Sequence, residues 1–291
     1  MRTRLTLVAV AAAAALALPA RAQIRASEIG SVAQTMDGTK LTVTYSRPRA
    51  RGRDPIFGTR VVHWGEVWTP GANYATTLET SKDVKLNGVA VAKGRYSVWF
   101  VVRQSGDWTL VLDPKEHVYH MTPPDSSAAQ VRFPVRVDST AFTDVLTWWF
   151  PELRADGGTL AFAWERKRVN VRVEVQPSLS PVIAAAEVQP YLGRYEGRME
   201  GKPVALMVTY DDTARTLKGQ YDPNDDYYNR FALIRIAPDW FVPGVYDKDG
   251  KIYEVYRPEF VFQFTRAGAR AVTVDLRNQD DSVEFHATRK P

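Results

Sequence analysis

The chain has 291 residues, no cysteine and a formal net charge of +5. Without cysteine it has no disulfide, no thiolate metal ligand and no cysteine for a lipid anchor. The charge does not describe a nucleic-acid binder: Arg2, Arg4 and Arg21 all precede residue 23, the remainder carries +2, and no concentrated basic run is left.

Met1-Arg2-Thr3-Arg4 is basic, Leu5 to Leu18 is apolar and mostly alanine, and Ala20-Arg21-Ala22 ends the stretch in an A-x-A pattern. This anatomy predicts a secretory signal peptide over 1–22, cut between Ala22 and Gln23, and a secreted or periplasmic protein. The apolar run is shorter than the roughly 20 residues a membrane-spanning helix needs, so no transmembrane segment is expected. The chain beyond residue 22 is long enough for one large or two ordinary domains.

Leu41, Val43 and Tyr45 alternate with Thr42, Thr44 and Ser46, which predicts a half-buried strand ended by Pro48. A loop with four alternating arginines comes next (Arg47, Arg49, Arg51, Arg53), and a threonine-rich strand is expected from Tyr74 to Ser81. Asn87-Gly88 between apolar alternations predicts a two-residue type I′ hairpin, since both turn residues need positive φ. Tyr96 to Val102 is apolar on nearly both faces and reads as a central strand, with Trp108 to Leu112 as its partner.

Residues 114–129 read as a long loop, and Val131 to Val137, interrupted by Pro134, as an edge or bulged strand. Phe142 to Phe150 reads as a further strand, and Leu160–Trp164 with Val169–Val175 as a hairpin-like pair turning at Glu165-Arg166-Lys167-Arg168. Gln176 to Pro181 has linker composition, and Val182 to Val188 offers one helical turn. About eight short strands then run to the C-terminus. The expected fold is all-β: an antiparallel β-sandwich over 27–177, a linker over 178–185, and a small antiparallel lipocalin-like β-barrel over 186–291.

The least ordinary chemistry lies in residues 41–73. Arg47, Arg53, His63, Trp64, Glu66, Trp68 and Asn73 form the candidate ligand-binding set. Guanidinium forks suit a carboxylate or phosphate, and aromatic faces suit a sugar ring. The bland alternative is that the tryptophans fill the core, the arginines pair with Asp54 and Glu66, and Asn73 satisfies loop backbone. His63 with Glu66 also has the composition of a general base and its orienting carboxylate, without any nucleophile motif beside it.

His117 and His120, with Glu116, have ligand spacing only on a helix, and the flanking prolines argue for a loop. Asp222, Asn224 and Asp226 imitate the start of a calcium loop, but Tyr227 stands where glycine is needed and Leu233 where the bidentate glutamate belongs. Tyr221, Tyr227, Tyr228, Trp240, Phe241, Tyr246, Tyr253 and Tyr256 could line a barrel mouth or fill a barrel core. No Walker-type loop, H-E-x-x-H or dinucleotide fingerprint is present, so no cofactor and no metal is expected.

Ser46-Arg47-Pro48, Gly52-Arg53, Ile56-Phe57-Gly58, Gly65-x-x-Trp68 and Gly71-Ala72-Asn73, together with Asn87-Gly88, Gly94-x-Tyr96-Ser97 and Trp164-Glu165, resemble an exported bacterial family of unknown function over about residues 27–176. The chain departs from that pattern at His63-Trp64-Gly65, where the family has Pro-Tyr-Gly, and at Thr69-Pro70, where an arginine usually follows the tryptophan. Tyr191-Leu192-Gly193-x-Tyr195 resembles the start of the lipocalin-like barrels appended to exported hydrolases. The resemblance implies fold and address rather than an activity. The expected function is non-catalytic binding of a small ligand, glycan or envelope component through Arg47–Asn73. The alternatives are a hydrolase using His63 and Glu66, or a structural envelope module.

Overall fold

The computed structural model describes residues 26–223, 230–257 and 259–291. The expected signal peptide, and Asn224, Asp226, Tyr227 and Tyr228 of the calcium-like and aromatic patterns, lie outside the described residues. The N-terminal half contains β1 (Ile29–Met36), β2 (Thr39–Ser46), β3 (Val67–Trp68), β4 (Thr77–Thr80), β5 (Val84–Leu86), β6 (Val89–Val91), β7 (Gly94–Val101), β8 (Trp108–Asp113), β9 (Val131–Val135), β10 (Val137–Arg154) and β11 (Gly157–Val175). Helix α1 (Ala185–Val188) is a single turn. The C-terminal half contains β12 (Gly193–Met199), β13 (Lys202–Asp211), β14 (Thr216–Asp222), β15 (Arg230–Ala237), β16 (Trp240–Tyr246), β17 (Ile252–Val255), β18 (Phe260–Ala267), β19 (Arg270–Asn278) and β20 (Val283–Arg289).

Two antiparallel sheets make the first half. One runs β1-β2-β4-β7-β8-β9 with β3 beside β7, and the other runs β10-β11-β5-β6. Leu41, Val43 and Tyr45 of β2 are buried on one face, as the period of two requires. β7 lies between β4 and β8 and is covered on both faces: Val98 and Phe100 belong to the main core, while Trp99 packs with Ala75 and Val111 in a smaller cluster on the other side. β9 pairs only with β8, so Pro134 stands at an edge where its missing N–H breaks no second ladder. The Asn87-Gly88 turn has φ of 49° and 81°, and the Asn87 Oδ1 accepts the Arg172 N–H at 2.8 Å.

The expected turn at 165–168 is absent. β11 runs unbroken through it, paired with β10, and the charged run that imitates a turn is an irregular stretch in the ladder, with Glu165 at a φ of 56°. β1 escapes the sequence pattern, because its inward and outward positions differ little in polarity: IGSVAQTM.

In the second half, β12, β13, β14, β15, β16, β18, β19 and β20 close into an antiparallel barrel through the β15–β16 pairing, with β17 added outside on β16. Side chains fill its interior, among them Tyr191, Tyr195, Phe241, Phe262 and Phe285. Tyr221 packs on Phe231 and Phe285, at centroid distances of 5.5 and 5.7 Å. A smaller apolar cluster on the outside of β15 and β16 includes Ile234, Val242 and Tyr246, and Leu179 of the linker covers it. No helix among the described residues is long and apolar enough to cross a membrane.

Candidate functional site

The arginine segment is not a free loop. Ala50 N–H donates to the Asp144 carbonyl at 2.7 Å and Leu146 N–H to the Pro48 carbonyl at 3.0 Å, so residues 48–50 lie along β10. Pro48 cannot donate, and here it only accepts. The Asp144 carboxylate fastens the segment twice, accepting from Arg49 Nε at 2.8 Å and from the Arg51 backbone N–H at 2.9 Å. Those contacts, the Arg49 bond foremost, hold the Asp144 carboxyl below its usual range.

The arginines divide into two roles. Arg53 folds back on its own loop, donating to the Ala50 carbonyl at 2.7 Å and the Arg49 carbonyl at 2.8 Å. Arg47 stretches across Gly30 to the Leu146 carbonyl (3.5 Å) and the Thr147 hydroxyl (3.2 Å), and a Cβ on Gly30 would sit 2.8 Å from its Cδ. Arg47, Arg49 and Arg51 line an open cavity of about 710 Å³ with Ser27, Glu28 and Asp144. Arg53 is not among its lining residues, and Asp54 pairs instead with Arg166 at 2.8 Å.

Beyond the arginines the chain dives inward. Ile56 and Phe57 are buried, and Gly58 N–H closes a knuckle on the Val62 carbonyl at 2.8 Å. Trp64 stacks on Phe57 and lies over Gly58. Trp68, on β3, sits in an aromatic nest of Phe57, Phe100, Phe162 and Trp164. Both tryptophans are half-buried and pack against the sandwich core. His63 is exposed, and Glu66 is pinned by backbone bonds to the end of β7. No hydrogen bond or ion pair joins the His63 and Glu66 side chains among the described residues.

Asn73 is a junction. In a left-handed conformation (φ 64°), it donates from Nδ2 to the Ser46 hydroxyl at 3.3 Å and the Ser27 carbonyl at 3.4 Å. Its own carbonyl accepts His120 N–H at 2.9 Å. Thus Asn73 touches the arginine cavity through Ser27 on one side and the 114–129 loop on the other.

That loop carries residues absent from the sequence-based set. Tyr74 and Tyr119 are exposed and bridged through their backbones. Tyr74 stacks on His117 with centroids 4.2 Å apart, and Tyr119 meets His120 edge-on at 4.6 Å. Glu116 is taken by Arg95 at 2.9 Å. The H-x-x-H spacing therefore builds an aromatic step, and no group of three or more metal-ligating side chains exists among the described residues. Burial lowers the affinity of His120 for its proton.

Glu165 is likewise outside the sequence-based set. It is 4% exposed, and its Oε2 has no hydrogen-bond partner. Burial pushes its carboxyl upward, and the nearby Asp54 carboxyl adds to the shift. A glutamate inside a charged run reads as solvated; only the strand that continues through it buries it.

Residues 27–173, just over half of the chain, match the family described as "Protein of unknown function (DUF2911)", and the chain belongs to this family. No curated protein matches the chain.

Proposed function

We propose that this member of the DUF2911 family is an exported, non-catalytic binding protein for an acidic ligand: a glycan or envelope component bearing carboxylate or phosphate groups. The observation that carries the reading is the cavity of about 710 Å³ lined by Arg47, Arg49 and Arg51. Guanidinium groups recognise such anions by paired hydrogen bonds and resist deprotonation. Export rests on the sequence of residues 1–22.

The aromatic step of Tyr74, His117 and Tyr119 supports a sugar rather than a free anion. Exposed rings give a face on which a pyranose can stack, and Asn73 ties that face to the wall of the cavity. In this reading Arg53, Trp64 and Trp68 shape the segment and Arg47 contacts ligand, while His63 and Glu66 are not among the residues that line the cavity.

Calorimetric titration with an oligouronate and a neutral oligoglucoside tests this. The oligouronate is expected to bind, to weaken with salt, and to lose at least tenfold in affinity in Arg47→Ala and Arg51→Ala. Failure of the oligouronate to bind, or equal binding of the neutral sugar, overturns the reading.

A further inference from the structure

We propose that Glu165 is a positioning residue for the arginine cavity: its protonated carboxyl clamps Asp54, and with it the segment that carries the arginines, and its ionisation slackens the clamp, so that acidic ligands bind more weakly as pH rises. The effect on ligand rests on the proposed binding function; the clamp itself does not.

Glu165 occupies an unusual place for a carboxyl. It stands within β11 at a left-handed φ of 56° and is 4% exposed. A residue other than glycine keeps such a conformation only where its surroundings enforce it. Its Oε2 has no hydrogen-bond partner, although buried polar atoms are nearly always bonded. The side chain facing it is a second carboxyl, Asp54, within hydrogen-bonding reach.

Two carboxylates at that distance repel, and both can only accept. One proton between them turns the repulsion into a bond. The proton belongs to Glu165. Asp54 is kept as the carboxylate by Arg166, whose Nη2 and Nε converge on its Oδ2 at 2.8 and 3.1 Å. That guanidinium is itself seated over the Phe142 ring of β10. Burial, foremost, pushes the Glu165 carboxyl upward and Asp54 adds to the push, while the Arg166 backbone N–H and the Lys167 ammonium oppose it. Across the ladder from β10 it meets Thr143, which carries no charge.

Asp54 lies two residues beyond Gly52, which lines the cavity with Arg47, Arg49 and Arg51. The segment is thus fastened to one ribbon at two points. Arg49 and the Ala50 and Arg51 N–H groups tie it to Asp144 of β10, and Asp54 ties it to β11. Glu165 lies between these anchors: Thr143 opposite it adjoins Asp144, and Trp164 beside it donates from Nε1 to the Asp144 carbonyl at 3.2 Å. Loss of the Glu165 proton sets a second negative charge against Asp54. The anchor on β11 then loosens, and the placement of Arg49 and Arg51, which depends on both anchors, loosens with it.

The test uses the whole chain and reads segment and ligand separately. Amide exchange, corrected for its intrinsic base catalysis, is followed by NMR at about pH 5 and about pH 7.5 at Ala50 in the segment and Val111 in the core. In the parent, Ala50 protection is expected to fall at least fivefold more than Val111 protection. It should fall no more than Val111 in Glu165→Gln, whose amide donates to Asp54 at either pH, and in Asp54→Asn, whose amide donates to ionised Glu165. Calorimetry with the oligouronate, ionised at both pH values, is expected to show an affinity loss at least threefold greater in the parent than in Glu165→Gln. Ala50 and Val111 moving in step in the parent, or an Ala50 response that persists in Glu165→Gln, overturns the clamp. Equal affinity losses in the parent and in Glu165→Gln overturn its link to the cavity. Absence of oligouronate binding in every form overturns the acidic-ligand reading instead, and the exchange result still decides the clamp.

Discussion

Trp68 and Trp164 lie face to face, their ring centroids 5.9 Å apart and their planes within 8° of parallel. Trp68 stands on two-residue β3 and Trp164 deep in β11, so this stack is where the candidate segment is bolted to the opposite sheet. Trp68→Ala is therefore expected to cost about 3 kcal/mol, and Trp68→Phe about 1 kcal/mol. Urea unfolding followed by tryptophan fluorescence reads this out, because seven of the eight tryptophans belong to residues 27–173. An unchanged midpoint in Trp68→Ala would remove β3 from the core.

Gly58→Ala tests the knuckle. The residue has a φ of 83°, and an added Cβ would run into the Trp64 indole at Nε1. Strain in the left-handed region and the displaced indole together are expected to cost about 2–3 kcal/mol. In a Trp64→Ala background the clash is gone, so the same substitution should cost only about 1 kcal/mol. A double-mutant cycle that closes additively would contradict the packing described.

Glu165→Gln should stabilise the protein at pH 7. The folded state raises this carboxyl above its ordinary value, so folding favours the protonated form. As pH rises past the unfolded-state value, ionisation stabilises the unfolded chain first, and stability falls until the folded-state value is passed. The amide cannot ionise, and it can donate toward Asp54 at any pH. The gain of the variant over the parent is expected to be present at pH 7 and to vanish near pH 4, in parallel urea titrations. A constant gain at both pH values would locate its cause in packing.

Asp144→Asn should tighten the proposed oligouronate binding several-fold at low salt. The carboxylate stays ionised because Arg49 and backbone N–H groups hold it below its usual range, and it competes with a ligand for Arg49. The asparagine keeps an acceptor for Arg51 N–H while removing the charge. Calorimetry at two salt concentrations checks this: the gain should shrink as salt screens the site.

Where pattern is local, the sequence spoke clearly. Asn87-Gly88, the doubly apolar β7 and the edge proline Pro134 each carry a reason within a few residues. So does the barrel, whose short strands alternate. Where an outcome depends on a partner far along the chain, the residues misled. Glu165-Arg166-Lys167-Arg168 looks like a turn because charge usually marks solvent, yet β10 pairs alongside it and keeps it extended. The four arginines look equivalent until Asp144, nearly a hundred residues away, claims Arg49, and the carbonyls of their own loop claim Arg53. The aromatic step of Tyr74 and His117 joins residues 43 positions apart, which no spacing rule brings together.

β10 and β11 are 18 and 19 residues long and form one ribbon. Near Val145 to Thr147 it supports the arginine cavity, and at Leu153 to Asp156 its tip walls a cleft against the barrel. The register shifts along this ribbon bend and twist it locally, so its length is set by extended backbone and its course by those irregular positions. The arginine cavity and the cleft are thus carried on one continuous two-stranded element, and a residue inserted in either strand between them would shift one relative to the other.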